Sequence, residues 1–369
     1  MRHDLAMRKE SGALRQFLPV HGGVDFCSND YLGLARSTQL KNEINQACQK
    51  HSWANGSSGS RLVTGNHAYV QSLEKNIAKR HGGENSLIFP NGYMANLGLY
   101  SAIGKRGDTF LIDEFVHASI IDGCRLSFGV KRKFKHNDLS HLETLLRTTK
   151  GKKWVVVESI YSMSGDIAPI AGMIELVEQY NAELIVDEAH AVGLEGPQGA
   201  GIVSDMCMQK NVFAQVITYG KAFGVSGAAI IGSDDLKQYL INYSRPFIYS
   251  TAPPPSFYIS IACAYEFVAR MEAERFYVRN LKKQFNAQMQ ADNFRTRQTE
   301  SAIAFIQIFE NYNVLECQQQ LKEEGINVIA MRHPTVPKGK EGLRICFHAF
   351  NTLEQLTLLT TAIRRICEN

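Results

Sequence analysis

Hydrophobic positions change their period along this 369-residue chain. From Ser86 onward, short apolar runs rich in β-branched and aromatic residues alternate with stretches whose apolar positions recur every three to four residues. The pattern predicts strands at Leu87–Phe89, Thr109–Ile112, Val130–Phe134, Trp154–Glu158, Leu184–Asp187, Val212–Thr218 and Ala228–Ile231. Helices are expected between and after them near Met94–Ile103, Ala118–Phe128, Leu139–Thr148, Ile170–Tyr180 and Leu236–Ser244. Strands with few polar residues, separated by helices, make an α/β fold with a mostly parallel sheet covered on both faces. Ligands of such sheets gather at the carboxyl ends of the strands.

The flanks read differently. Residues 1 to about 37 are short, polar and irregular, and helices follow at Thr38–Lys50, with Leu40, Ile44 and Ala47 on one face, and at His67–Arg80. The glycines and hydroxyls of the loop from Asn55 to Arg61 suit either close approach of backbone to a ligand or a plain linker. After Pro253-Pro254-Pro255 a long helical region runs to about Met289. An α+β unit then has strands at Ala302–Ile308, Asn327–Met331 and Leu343–Phe347 and helices at Val314–Glu324 and Leu353–Ile366. This gives an N-terminal segment (1–37), a large domain (38–255), and a linking helix with a small C-terminal α+β domain (256–369).

Composition narrows the class. With 44% hydrophobic and 21% charged residues the chain is an ordinary globular protein, too long for one small core. A net charge of +4 argues against a nucleic-acid surface. The eight cysteines form no Cys-x-x-Cys and no paired Cys/His spacing of a zinc site, which reads as reduced thiols in a cytoplasmic protein without a metal. No apolar signal core opens the chain. The longest uncharged window, Pro246 to Tyr265, is broken by three prolines, so no membrane segment is expected.

Candidate chemistry centres on Thr218-Tyr219-Gly220-Lys221-Ala222-Phe223-Gly224. A lysine set among small residues loses hydration, its pKa falls, and it becomes able to form a Schiff base with an aldehyde; the alternative is a surface lysine in a glycine-rich turn. Asp187 ends an apolar strand in Val186-Asp187-Glu188-Ala189-His190, where it could hold a protonated ring nitrogen while His190 bonds a phenolic oxygen. The same letters occur in helicases, but the nearest phosphate-loop candidate, Gly104-Lys105-Arg106, lacks both the first glycine and the hydroxyl residue. Phe89 to Asn96 supplies a strand, a glycine turn at Gly92 and a helix start, a phosphate cradle of backbone N–H groups. Tyr93 or His117 could stack on a ring held above it.

In order, a glycine turn, a histidine, Ser162-Met163-Ser164-Gly165-Asp166, Asp-x-x-His and Thr-x-x-Lys resemble the fold-type I pyridoxal-phosphate enzymes, and more narrowly the α-oxoamine synthases. The resemblance spans almost the whole chain, from Asn29-Asp30-Tyr31-Leu32-Gly33-Leu34 to the last helix. It implies pyridoxal 5'-phosphate as cofactor, a seven-stranded sheet and a homodimer with shared sites. Residue by residue it makes Lys221 the cofactor lysine and later base, Asp187 the ring-nitrogen partner, His190 the phenolic-oxygen partner and His117 the stacking ring. Ser162 would lie beside the cofactor, Gly92, Tyr93 and Thr218 would hold its phosphate, and Ser250 or Thr251 would reach the phosphate of the neighbouring subunit.

Ala330-Met331-Arg332-His333-Pro334-Thr335-Val336-Pro337, followed by Leu343-Arg344, looks most like the biotin-pathway branch of that family, which joins L-alanine to a pimeloyl thioester. That likeness makes Arg344 the clamp on the amino acid carboxylate, with Asn29 and Thr335 assisting and Arg15 near the acyl group, whether carried by coenzyme A or a carrier protein. The sequence departs from the branch in the short segment between Pro19 and Asn29, in His333, and in His348 and Asn351; members using glycine or serine stay open. The basic run Lys131 to His136 reads as a steering patch for an anionic thioester or as an edge strand with solubilising lysines.

Overall fold

The structure is a computed structural model describing residues 1–10, 14, 15, 17, 22–51, 54–291, 294, 299–308, 313–333 and 336–367. The first strand, β1 (Val24–Asp25), is followed by β2 (Asn85–Phe89), β3 (Thr109–Asp113), β4 (Val130–Phe134), β5 (Lys153–Glu158), β6 (Glu183–Asp187), β7 (Ala214–Thr218) and β8 (Ala228–Gly232). The C-terminal part adds β9 (Ile303–Gln307), β10 (Ile326–Asn327), β11 (Ile329–Met331) and β12 (Gly342–Cys346). Seven strands form the central sheet in the order β2-β8-β7-β6-β5-β3-β4, with β8 alone antiparallel to its neighbours. Every residue of β2, β3 and β7 is buried, as expected for strands covered on both faces. The edge strand β4 exposes Val130, Arg132 and Lys133 and buries Phe134. Most of the basic run therefore lies on an exposed edge, where charge discourages further strand pairing.

The helices Gly92–Ile103, Ala118–Leu126, Leu139–Thr148 and Ile170–Gln179 connect successive strands. The first starts where Asn91 Oδ1 accepts from Met94 N at 2.9 Å, and the third where Asp138 Oδ1 accepts from His141 N at 2.9 Å. The sheet's carboxyl edge thus carries Asp113, Glu158, Asp187 and Thr218 at strand ends, with Gly92, His117, Ser162, His190 and Lys221 just beyond.

Three expectations about the flanks change. Arg2–Glu10 is helical although none of its residues is buried, so no core-facing apolar pattern announces it. The long helical region is two helices, Pro255–Arg270 and Glu272–Ala291, broken at Met271, whose ψ of 46° leaves the helical range. The strand expected at Asn327–Met331 is two short ones serving different sheets: β10 pairs with β1 in parallel, and β11 pairs with β12, which also pairs with β9. The β1–β10 pair ties the N-terminal segment to the C-terminal α+β unit.

Candidate active site

Lys221 sits in a turn leaving β7. Tyr219 N donates to Gly227 O at 2.9 Å, Val225 N to Tyr219 O at 3.0 Å and Gly224 N to Lys221 O at 2.9 Å. Gly224 has φ +67°, and a Cβ there would lie 2.3 Å from Ala35 N, so only glycine lets this turn rest on the N-terminal segment. Behind the turn, Tyr219 and Tyr265 hydroxyls meet at 3.2 Å, Tyr265 meets His81 Nε2 at 2.9 Å, and His81 Nδ1 meets Ala200 O at 2.9 Å. A carbonyl only accepts, so Nδ1 carries the proton, Tyr265 donates to Nε2 and Tyr219 donates to Tyr265. Burial lowers the His81 pKa to about 4, which keeps this buttress neutral.

The Lys221 ammonium is half-buried and loses hydration, which lowers its pKa; the charge of nearby Asp187 offsets only part of that loss. Asp187 is buried. Its Oδ2 accepts from Asn96 Nδ2 at 2.8 Å and its Oδ1 from Ala189 N at 3.0 Å, and among the described residues no cation pairs with it. The second hydrogen of the Asn96 amide goes to Ser119 Oγ at 3.0 Å. That hydroxyl therefore turns its own proton to His117 Nδ1 at 2.8 Å, leaving the His117 proton on Nε2. His117 is exposed and meets the Tyr93 ring edge-on at 6.4 Å.

His190 is buried, and its Nδ1 meets the Tyr31 hydroxyl at 2.8 Å. Burial, followed by the charges of Lys221 and Arg344, holds His190 neutral by driving its pKa well down. Tyr31 also lies 3.2 Å from Asn29 Oδ1, which accepts from Arg344 Nη2 at 2.9 Å. Arg344 Nε donates to Ser162 O at 2.6 Å. Among the described residues this buried guanidinium has no carboxylate partner, although a cation so placed ordinarily has one.

The structure thus gathers Lys221, Asp187, His190, His117, Ser162, Asn29 and Arg344 at one edge of the sheet. Thr218 Oγ1 would lie 3.5 Å from a Cβ on Gly92, so the glycine turn and this hydroxyl face one another. The Tyr93 hydroxyl donates to Asp122 and is held at the rim. Ser250 is half-buried and Thr251 exposed; the Ala252 N to Gly59 O bond of 2.9 Å holds their loop on the 55–61 loop, and no described contact joins either to Lys221 or Asp187. Arg15 is exposed and makes no hydrogen bond or ion pair among the described residues. Thr335 lies outside the described residues.

Sequence reasoning assigned no role to Asn96, Ser119, Tyr31 or Glu158. Glu158 had a readable signal, for it ends an apolar strand just as Asp187 does. Asn96 lies one helical turn beyond Gly92, but only the fold shows what that turn faces. His348 and Asn351 form a buried brace: His348 Nδ1 meets Asn351 Oδ1 at 2.9 Å, His348 Nε2 meets Ser28 O at 2.9 Å, and Asn351 Nδ2 donates to Asp25 O at 3.0 Å. These departures from the family text hold the segment that presents Asn29 and Tyr31.

Residues 21–363 match the family described as aminotransferase class I and II. The 8-amino-7-oxononanoate synthase of Marinobacter nauticus is 38% identical over 344 residues, 93% of this chain and 86% of its own. Among solved structures, 8-amino-7-oxononanoate synthase from Francisella tularensis superposes with a TM-score of 0.81 at 30% identity, covering 93% of this chain and 97% of that one. Serine palmitoyltransferase from S. paucimobilis, solved with PLP and myriocin bound, shares the fold with a TM-score of 0.90 at 24% identity, covering 99% and 96%.

Proposed function

The chain belongs to the class I and II aminotransferase family, and from that premise we propose that it joins L-alanine to a pimeloyl thioester, with loss of carbon dioxide, to give 8-amino-7-oxononanoate for biotin biosynthesis. Relatives bearing the name 8-amino-7-oxononanoate synthase at 34% to 38% identity over nearly the whole chain support the reaction. The observation that carries the reading is one sheet edge bearing a lysine of lowered pKa and, among the described residues, a buried carboxylate without a cation and a buried guanidinium without a carboxylate.

Pyridoxal 5'-phosphate fits these residues. A carboxylate offers about four lone-pair sites, and with one donor on each oxygen Asp187 keeps capacity for a ring N–H. The cofactor supplies an aldehyde carbon that takes up an amine and a ring that withdraws the electrons left when a bond at the α-carbon breaks.

The chain's own residues do the rest. Lys221, able to shed its proton near neutral pH, holds the cofactor and then takes the α-proton of alanine. The Asp187 charge keeps the ring nitrogen protonated. Neutral His190, held through Nδ1 by the Tyr31 hydroxyl, would meet the phenolic oxygen with its ring. His117, whose tautomer Ser119 fixes, would stack on the ring, and Gly92, Tyr93 and Thr218 would hold the phosphate at the helix N-terminus. Arg344 takes the amino acid carboxylate in its planar fork, oriented by Asn29 and Ser162, with Thr335 and Arg15 toward the acyl side.

Two chains complete two sites. Ser250 or Thr251 serves the phosphate of the partner subunit, in keeping with the lack of a described contact between either and their own Lys221. The exposed side chains Leu62, Val63 and Tyr249, close in sequence to the two loops joined by Gly59 and Ala252, give a dimer apolar surface to bury. Among the described residues no helix is long and apolar enough to cross a membrane, and free thiols at Cys27, Cys48, Cys124, Cys207, Cys263 and Cys346 favour a cytoplasmic enzyme.

Borohydride reduction of the purified yellow protein tests the cofactor assignment. The pyridoxyl adduct is expected on Lys221, and an adduct on another lysine overturns it. Lys221→Ala should lose both the visible absorbance and turnover.

A further inference from the structure

Two acids stand side by side at the carboxyl edge. Glu158 ends β5, Asp187 ends β6, and the register pairs them directly. Both are buried, at 3% and 4% exposure. Their surroundings differ. Asp187 receives one donor on each oxygen, from Asn96 and Ala189. Glu158 accepts from Ser162 N at 3.2 Å on Oε2, while Oε1 is buried with no hydrogen-bond partner, and no cation lies within ion-pair distance of it among the described residues. The charged and titratable groups facing Glu158 are Asp187 from β6, Lys221 from the turn after β7, Tyr100 from the helix after β2 and Tyr161 from its own loop, and the backbones of Ser162 and His117 oppose its protonation by less than burial and Asp187 favour it.

Two adjacent buried carboxylates repel, and the less solvated one takes up a proton. Asp187 has the donors that a charge requires, whereas the bare Oε1 of Glu158 is the atom able to carry a hydrogen. We propose that Glu158 is a protonated carboxylic acid in the resting enzyme, so that the Glu158–Asp187 pair presents one negative charge, not two, to Lys221. Burial, followed by the Asp187 charge, pushes the Glu158 carboxyl up in the same direction. Glu158 then acts through its neighbours as a positioning residue. Its proton lets Asp187 keep the single charge, and it spares Lys221 a second anion that would hold the ammonium charged.

The protonation state itself needs no assumption about substrate; only its effect on Lys221 rests on the function proposed above. The infrared difference spectrum of holoenzyme against Glu158→Gln at neutral pH should contain a protonated carboxyl band lost in the variant. The amide of glutamine is also neutral, so the pH midpoint of the cofactor's visible absorbance should stay where it is. No carboxyl band in the difference, or a midpoint that falls by about 1 to 3 pH units as expected on removing a neighbouring anion, overturns the proposal. Should Glu158→Gln fail to fold, holoenzyme labelled with carboxyl-13C glutamate decides, with Glu188→Gln removing the neighbouring buried glutamate. The band must then shift with the label, and its absence overturns the proposal. A colourless protein that still shows the band would defeat the cofactor reading and leave the Glu158 assignment standing.

Discussion

Asn96 donates to Asp187 Oδ2 at 2.8 Å and, through the other hydrogen of the same amide, to Ser119 Oγ at 3.0 Å. One side chain thus orients the Asp187 carboxylate and, through Ser119, fixes the tautomer of His117. Asp187→Asn keeps the shape but removes the charge, so it should bind cofactor while slowing exchange of the alanine α-proton by about two to three orders of magnitude, the scale for losing one preorganised electrostatic partner. Proton exchange followed by NMR checks this, and near-normal exchange would show that the ring nitrogen has another partner.

Arg344 spends two of its donors on Ser162 O and Asn29 Oδ1 and, among the described residues, has no carboxylate partner. Its loss should leave the substrate carboxylate unpaired, at a cost of about 2 to 5 kcal/mol. Arg344→Ala should therefore raise KM for the amino acid far more than KM for the thioester in steady-state kinetics. An equal rise in both would move the guanidinium's role to the acyl side.

The brace formed by His348 and Asn351 predicts a stability effect. His348→Ala leaves Ser28 O without its buried partner, while the backbone N–H of residue 348 still donates to Asn351 Oδ1, and the expected loss is about 1 to 3 kcal/mol, read from urea unfolding. Because the brace positions Asn29 and Tyr31, KM for alanine should rise as well.

His136 gives a pH prediction. Burial opposes its charge, but hydrogen bonds to Asp113 and Asp166 at 3.0 and 3.2 Å prevail and push its pKa up from 6.5 to about 9. A group whose folded pKa is raised contributes stability that is full below the unfolded value and is lost as pH rises through the folded one. This contribution should fade between pH 6.5 and about 9. Thermal unfolding of His136→Gln across that window should show a flatter pH dependence than the parent protein, and parallel curves would contradict it.

The inner sheet was legible because its strands are apolar on both faces, so Thr109–Asp113 or Ala214–Thr218 admits no other reading in a chain of alternating helices. Lys221, Asp187 and His190 were legible because each follows such a strand at a fixed offset. What the sequence hid depends on distant partners. The N-terminal helix buries no residue, so it leaves no core-facing stripe. Val24–Asp25 is a strand only because Ile326–Asn327, some three hundred residues away, offers it an edge. Asn96 and Glu158 gained meaning once the fold placed both against Asp187. The basic run divides for the same reason: Arg132 and Lys133 face solvent on the edge strand, whereas His136 turns inward between two aspartates.

The most direct test of the account combines purified holoenzyme with L-alanine and a pimeloyl thioester, delivered as the coenzyme A ester and as the carrier-protein ester in parallel, and measures carbon dioxide release and product mass. The account predicts 8-amino-7-oxononanoate from L-alanine with at least one carrier, and poor turnover when glycine or L-serine replaces it. A clear preference for glycine with acetyl-CoA, or for serine with a long acyl chain, would contradict the substrate assignment, and no decarboxylative turnover with any of these pairs would contradict the reaction itself.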